Sequence, residues 1–141
     1  MSHCAAIREW YEEVWNKRDL SAITRMMAPD VVVHGLAQGG GALHGPDGFL
    51  QFHRAFTSAF PDLRLHVEDA IEQGDRVAMR FTATGTHSGD GLGFPATNRP
   101  MRVSGMTIAR VAGGKFVEGW NVFDALGMMQ QLGVAPQGDA W

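Results

Sequence analysis

Residues 113–133 read GGKFVEGWNVFDALGMMQQLG. The glycine pair is a turn signal. After it, Phe116, Glu118, Trp120, Val122 and Asp124 fall on alternate positions, the period of a strand. At Asp124 the pattern changes to a short helix that stops at Gly133. A carboxylate beside Trp120 and Phe123, where strand becomes helix, is the best candidate in the chain for a working acid or base. The same aspartate, ahead of Ala125-Leu126-Gly127, is also a good helix N-cap, and the local sequence leaves both roles open.

Upstream, residues 3–18 predict an amphipathic helix, with Ile7, Trp10, Tyr11, Val14 and Trp15 in one apolar stripe. Asp19 is the expected N-cap of a second, shorter helix with Leu20, Ile23 and Met26 or Met27 inward. Ala28-Pro29-Asp30 breaks it. Val31 to His34 is a β-branched run and so a short strand. Gly35 to Gly45 is read as loop, a mobile rim or lid. Its Gly39-Gly40-Gly41 lacks the lysine and the strand–turn–helix context of a phosphate loop. Pro46 opens a helix to about Phe60 with Phe49, Phe52, His53, Phe56 and Phe60 on one face.

After Phe60-Pro61-Asp62 the period becomes two. Leu63, Leu65, Val67 and Ile71 alternate with polar residues. A hairpin at Gln73-Gly74-Asp75 leads to Val77, Met79, Phe81 and Ala83. Residues 88–100 are a glycine- and proline-rich loop, and a third long strand runs from about Met101 to Val111. Helices ahead of a meandering sheet predict an α+β fold: a cone-shaped α+β barrel, its N-terminal helices packed on a highly curved, mostly antiparallel sheet with an open mouth. The strand faces are not cleanly divided into apolar and polar. That is the expectation if one face lines a cavity and the other packs on a partner subunit.

The 141 residues suit one domain, 1–141, with a real core. Hydrophobic content of 45% with 19% charged residues is a globular balance. A net charge of −3 gives no argument for nucleic acid or an acidic membrane. No apolar run approaches the roughly 18–20 residues of a membrane span. The acidic, amphipathic start is not that of a signal peptide. The single cysteine, Cys4, fits a reducing cytoplasm. Eight methionines and eight phenylalanines allow either a soft core or a cavity for a small hydrophobic molecule.

No nucleophile elbow and no dinucleotide fingerprint is present. The six histidines lack metal-ligand spacing, so no metal is expected. What remains is proton transfer. A carboxylate titrates near about 4 in water, and desolvation raises it toward neutrality. Histidine or tryptophan N–H groups suit a developing enolate oxygen. Asp124 supplies the first element, and His34, His53 and His87 are candidates for the second. Trp15, Phe52, His53, Phe56, Met106 and Trp120 are the candidates for contact with substrate. Glu118 reads as structural, paired with Arg80 or Arg110 across the sheet.

Several short pieces recur in a fixed order: Asp30-x-x-x-His34, Phe60-Pro61-Asp62, Gly74-Asp75-Arg76-Val77, Arg80, Gly85-Thr86-His87. They end with Gly114-Lys115-x-Val117-Glu118-x-Trp120-x-x-x-Asp124 and Gln131-Leu132-Gly133. Over about residues 5–134 this order resembles the SnoaL-like polyketide cyclase family, within the nuclear-transport-factor-2-like fold. The resemblance implies a homodimer formed through the outer face of the sheet and an interior cavity for a hydrophobic ring system. It also implies an aspartate near the end of the last strand acting as general acid/base in an intramolecular aldol ring closure, without metal or cofactor. Asp124 stands at that position; His34 and His87 match family histidines for substrate positioning or an oxyanion. The chain departs from the pattern at Ala96-Thr97-Asn98-Arg99-Pro100, where Asn98 still permits positive φ, and at Gly119 and Asn121, which leave a plainer site. Two functions follow: a cofactor-free cyclase or isomerase, or a protein that binds a hydrophobic molecule without turning it over. A third, epoxide hydrolysis through Arg80 and Asp124, lacks its second aspartate.

Overall fold

The computed structural model describes residues 2–135, so the ends of the expected 1–141 domain lie outside it. Helix α1 (His3–Trp10) starts at Ser2, whose hydroxyl accepts from the Ala5 N–H at 3.0 Å. It does not continue to residue 18 as a regular α-helix. From Tyr11 to Asn16 it widens into a π-helical turn, with the Lys17 N–H bonded to the Glu12 carbonyl at 2.8 Å. Ile7, Trp10, Tyr11, Val14 and Trp15 are all buried, as their spacing predicts. Helix α2 (Ser21–Met26) follows; Asp19 accepts from the Ser21 N–H and hydroxyl. Leu20 is 43% exposed and does not join the core, because it precedes the first helical turn.

Strand β1 (Met27–His34) begins earlier than the β-branched run and passes through Pro29. Its pairing with the last strand is irregular between Met27 and Val32, where proline's missing N–H removes no ladder bond. Within the expected loop, residues Ala42–His44 form a short strand, β2, antiparallel to β1. Helix α3 (Gly45–Ala59) carries proline in its first turn. Then come β3 (Arg64–Gln73), β4 (Arg76–Thr86), β5 (Pro100–Ala112) and β6 (Lys115–Phe123), and α4 (Ala125–Leu132). The sheet order is β2-β1-β6-β5-β4-β3, with β1 and β6 parallel and all other pairs antiparallel. The fold is α+β as expected, and the curled sheet stays open, with β2 and β3 as its edges.

Edge strands need a partner or a cover. Asn16 supplies one for β3: its amide accepts from the Leu65 N–H and donates to the Leu65 carbonyl, both at 2.8 Å. The helices fill the concave side. Trp15 packs edge-on against Phe49 and Phe52, at centroid distances of 5.9 and 6.2 Å, and Phe52 meets Phe56 at 4.7 Å. Gly105 lets the Phe81 ring cross β5; a Cβ there would overlap that ring.

His53 is buried beneath Trp15, its Nε2 2.8 Å from the Val14 carbonyl. Carbonyls in the last turn of a helix lack intrahelical partners, and the imidazole N–H donates to this one. Burial pulls the His53 pKa below its ordinary 6.5, the bond to Val14 opposing that and the nearby Arg18 and Arg54 charges adding to it. The unfolded chain therefore takes up a proton at a pH where the folded chain does not. Stability from this group is complete above about 6.5 and is lost as pH falls below it. Carboxylates held below their ordinary values, Asp19, Asp62, Glu72 and Glu118, act only in a more acidic window. Urea midpoints should thus decline between pH 7.5 and 5.5, and His53→Gln should flatten that decline. An equal slope in the variant would assign it to other groups.

Candidate functional site

Between the aromatic face of α3 and the concave side of the sheet lies an apolar cavity of about 70 Å³. Trp15, Phe52 and Phe56 wall it from the helices; Phe81, Met101 and Val103 wall it from the sheet; Phe123 and Met128 close one side. These three helical aromatics are placed together as the sequence suggested. The volume suits a few water molecules, whereas drug-sized ligands occupy about 300–1,000 Å³.

Tyr11 and Asn121 bring polar side chains to this wall. The Tyr11 hydroxyl lies 3.1 Å from the Thr107 hydroxyl, which donates to Asn121 Oδ1 at 2.7 Å; Asn121 Nδ2 donates to the His34 carbonyl at 3.1 Å. A threonine has one proton, and Asn121 receives it, so Tyr11 must be the donor to Thr107. Burial pushes the Tyr11 pKa up to about 12, the bond to Thr107 opposing it, and the phenol stays protonated. On the far side of these residues is a smaller cavity of about 50 Å³, lined by Ile7, Trp10 and Met27. The chain Tyr11–Thr107–Asn121 is thus a polar partition between two apolar spaces. It was missed in the sequence, although it left a signal: Thr107 and Asn121 are polar residues at inward positions of β5 and β6.

The four expected polar positions, Asp124, His34, His53 and His87, are not gathered in one place, and His53, expected also to contact substrate, does not line the cavity because its ring is turned to the Val14 carbonyl. Asp124 follows Phe123, which lines the cavity, but is not itself a lining residue: its side chain is exposed, and Oδ1 accepts from the Gly127 N–H at 2.8 Å as the cap of α4. His34 faces outward from β1: Nε2 is 2.8 Å from Glu118 Oε2, and the ring stacks on Trp120 at 5.7 Å. Glu118 also pairs with Arg110 at 3.5 Å, and its carboxyl is held below the usual range, chiefly by the His34 hydrogen bond. Of the two pairings expected for Glu118, Arg110 is the one formed; Arg80 instead bonds Asp69 at 2.8 Å, so no Arg80–Asp124 pair exists.

His87 is fully buried at the base of loop 88–99. Its Nδ1 accepts from the Thr97 N–H at 3.1 Å, which puts the ring proton on Nε2. Nε2 has no hydrogen-bond partner among the described residues, and the ring packs on Phe60 and Phe94. The loop is further tied by Asn98, whose φ of 57° is the positive value its residue type allows.

Met106 and Trp120 lie on the opposite face of the sheet from Trp15, Phe52 and Phe56. With His34, Ile71, Ile108 and Val122 they line an outer concavity of about 900 Å³. Strand parity separates the two sets: on β5, Met101, Val103, Thr107 and Ala109 are buried while Ser104, Met106 and Ile108 are exposed. Among the described residues, no three His, Cys, Asp or Glu side chains converge on a possible metal position, and no helix is long and apolar enough to cross a membrane.

The model of the SnoaL-like polyketide cyclase family matches residues 5–132. Among solved structures, IdmH from Streptomyces antibioticus, named as a candidate polyketide cyclase, is 35% identical, with 92% of this chain and 97% of that one covered at a TM-score of 0.79. A candidate polyketide cyclase from Acidithiobacillus ferrooxidans is 30% identical over 96% of this chain and 99% of that one, at 0.79. AclR from Streptomyces galilaeus, named as a candidate hydroxylase, is 30% identical over 96% of this chain and 87% of that one, at 0.81. No curated protein matches the chain. The curled six-stranded sheet, its helix-filled concave face and the match over residues 5–132 together show that the chain belongs to the SnoaL-like polyketide cyclase family, on the nuclear-transport-factor-2-like fold.

Proposed function

We propose that the protein catalyses cofactor-free acid/base chemistry, an intramolecular aldol-type cyclisation or an isomerisation, on a hydrophobic carbonyl compound held in the interior cavity. The observation that carries this reading is an aromatic-walled cavity whose polar groups are few and placed on one side, at Tyr11 and Asn121. Asp124, next in the chain to the lining residue Phe123, is the base. It leaves the Gly127 N–H, takes a proton from the carbon next to a carbonyl, and the resulting enolate carbon attacks a second carbonyl. The alkoxide then takes the proton back. Tyr11 and Thr107 have committed their protons, so the donor left for the enolate oxygen is the second N–H of Asn121. His34 and His87 contribute by position: His34 through the carbonyl that holds Asn121, and His87 by fixing the loop against Phe60. Because about 70 Å³ is too small for a ring system, Phe52 and Phe56, both half-buried, part to admit it.

A second reading, binding without turnover, is favoured by one observation: the Asp124 carboxylate is exposed and already engaged as a cap. Asparagine caps a helix about as well as aspartate, whereas alanine costs roughly 1 kcal/mol. Asp124→Asn should therefore fold with unchanged stability and lose turnover of hydrophobic polyketones by about a hundredfold or more; Asp124→Ala should in addition melt earlier. Full turnover in Asp124→Asn would remove the base, and a wild-type protein that quenches its tryptophans on binding but converts nothing would establish the second reading.

Thr107→Val leaves the Tyr11 hydroxyl and Asn121 Oδ1 without their shared partner in a buried site. It should lower stability in urea titrations by roughly 1–3 kcal/mol, and loss of less than a few tenths would mean that the partition is hydrated.

The outer face carries Ile71, Met106, Ile108 and Val122 at 71, 55, 43 and 68% exposure. Met106 pairs with Val122 across β5 and β6, Ile108 and Ile71 flank Ala78 of β4 in one row, and an apolar area of this kind marks an interface. We assign it to a second copy of the chain. Sedimentation should show a dimer, with Ile108→Glu/Val122→Glu monomeric and still folded; a wild-type monomer at micromolar concentration would refute the assignment.

A further inference from the structure

One concavity has a more polar lining than the three apolar ones. It measures about 500 Å³, borders β3, and is bounded by Arg8 of α1, Arg64 of β3 and Arg102 of β5. Arg64, Thr84 and Arg102 stand in register on three successive strands. Adjacent strands lie about 4.8 Å apart, so the two arginine backbones are about 10 Å apart with the threonine between them. Their stems are long enough for the guanidinium groups either to converge or to hold two charges side by side.

The carboxylates of this groove are already engaged. Glu68 accepts from the Thr82 hydroxyl at 2.8 Å and lies 3.8 Å from His66; Glu12 accepts from Asn16 at 3.0 Å. Arg8, Arg64 and Arg102 make no side-chain hydrogen bond or ion pair among the described residues. The other arginines of the sheet do have partners: Arg80 with Asp69, Arg110 with Glu118, and Arg76 over the Trp120 ring at 5.3 Å. Three uncommitted guanidinium groups in one groove, on a chain of net charge −3, are not explained by the fold. The Arg102 backbone is itself pinned, its N–H and carbonyl both bonded to the Gln131 amide at 2.7 and 3.0 Å, so the strand that presents Arg102 is fixed.

A guanidinium fork matches the paired oxygens of phosphate, and two forks on either side of a hydroxyl match two linked phosphates better than one carboxylate. The volume exceeds what inorganic phosphate fills and suits a small organic molecule. The exposed apolar residues of the sheet, Ile71, Met106, Ile108 and Val122, gather in the stripe rather than beside this groove, which argues for a soluble ligand over a lipid surface. The geometry points to this groove as a binding site for a soluble organic diphosphate. Arg64 and Arg102 hold the two phosphates, the Thr84 hydroxyl lies between them, and Arg8 closes the side next to the helix. Tyr11 and Leu65 border both this groove and the interior cavity, but none of Arg8, Arg64, Thr84 and Arg102 lines that cavity, and the proposal does not depend on what it binds.

Inorganic pyrophosphate titrated at constant ionic strength, with backbone amide shifts followed by NMR, tests it. Saturable shifts are expected at residues 64, 84 and 102. Arg64→Gln and Arg102→Gln should each weaken binding by about tenfold or more, and the double variant should lose saturation. Arg25→Gln, which removes an arginine paired with Glu9 elsewhere, should bind as wild type. The substituted side chains are exposed, and unchanged melting curves verify that the variants are folded. Thr84→Val gives an independent reading, with weakened binding and both arginines intact. Absence of saturation up to millimolar pyrophosphate, or equal affinity in the double variant, overturns the proposal. So does cosedimentation with phosphatidic acid vesicles that pyrophosphate does not compete away, which would indicate a lipid surface instead.

Discussion

The ladder between β4 and β5 runs without a register shift from the Arg76–Arg110 pair to the Thr86–Pro100 pair, and everything around it takes its orientation from that ladder. Side chains on a strand alternate between two faces. Once Val77, Met79, Phe81 and Ala83 are turned toward the helices, the partners opposite them on β5 turn the same way. The ladder to β6 transmits the same division, and β6 ends at Phe123 on the inner side with Asp124 just beyond it. A slip of one residue would send Thr107 and Asn121 outward and Ile108 and Trp120 inward, so the cavity, the partition and the outer stripe depend on a single register.

Inside that register the molecule accepts a polar cost. Tyr11, Thr107 and Asn121 lie within an apolar interior, and each is tolerated because the next satisfies it. The direction of the protons is determined by the threonine, which has one to give. That direction ends at the His34 carbonyl on β1, so the relay also ties β1 to β6 beside their parallel ladder. His53 and Asn16 solve related problems at the periphery. One satisfies a carbonyl left over where α1 widens, and the other covers the free edge of β3.

The two faces then differ in what they offer. The inner face presents aromatic surface and few polar groups. The outer face is graded, from the His34–Glu118–Arg110 cluster, through the apolar stripe, to the arginine groove near Arg64 and Arg102. A sheet packed by helices on one side only leaves its other side available for association and ligand contact.

Much of this was legible in the residues. Period-two runs predicted the four long strands to within a residue or two, the Ile7–Trp15 stripe predicted its buried face, and the phenylalanine face of α3 predicted the helical wall of the cavity. Local rules succeed there because periodicity, turns and caps are properties of neighbouring residues. Asp124 as the cap of α4 and Asn98 at positive φ belong to the same class. The rest needed three dimensions. Nothing in the order of residues says that Met106 and Trp120 face away from Phe52 and Phe56, because strand parity has an absolute sense only once the helices have chosen a face. Nor does it say that His34 pairs with Glu118, 84 positions away, or that Tyr11, Thr107 and Asn121 meet. By itself the sequence determined the long strands, the main helices and the family, but not β2, the start of β1 or the π-helical turn. Tertiary structure decided which residues share a site, because side chains distant along the chain converge only through the register and curvature of the sheet.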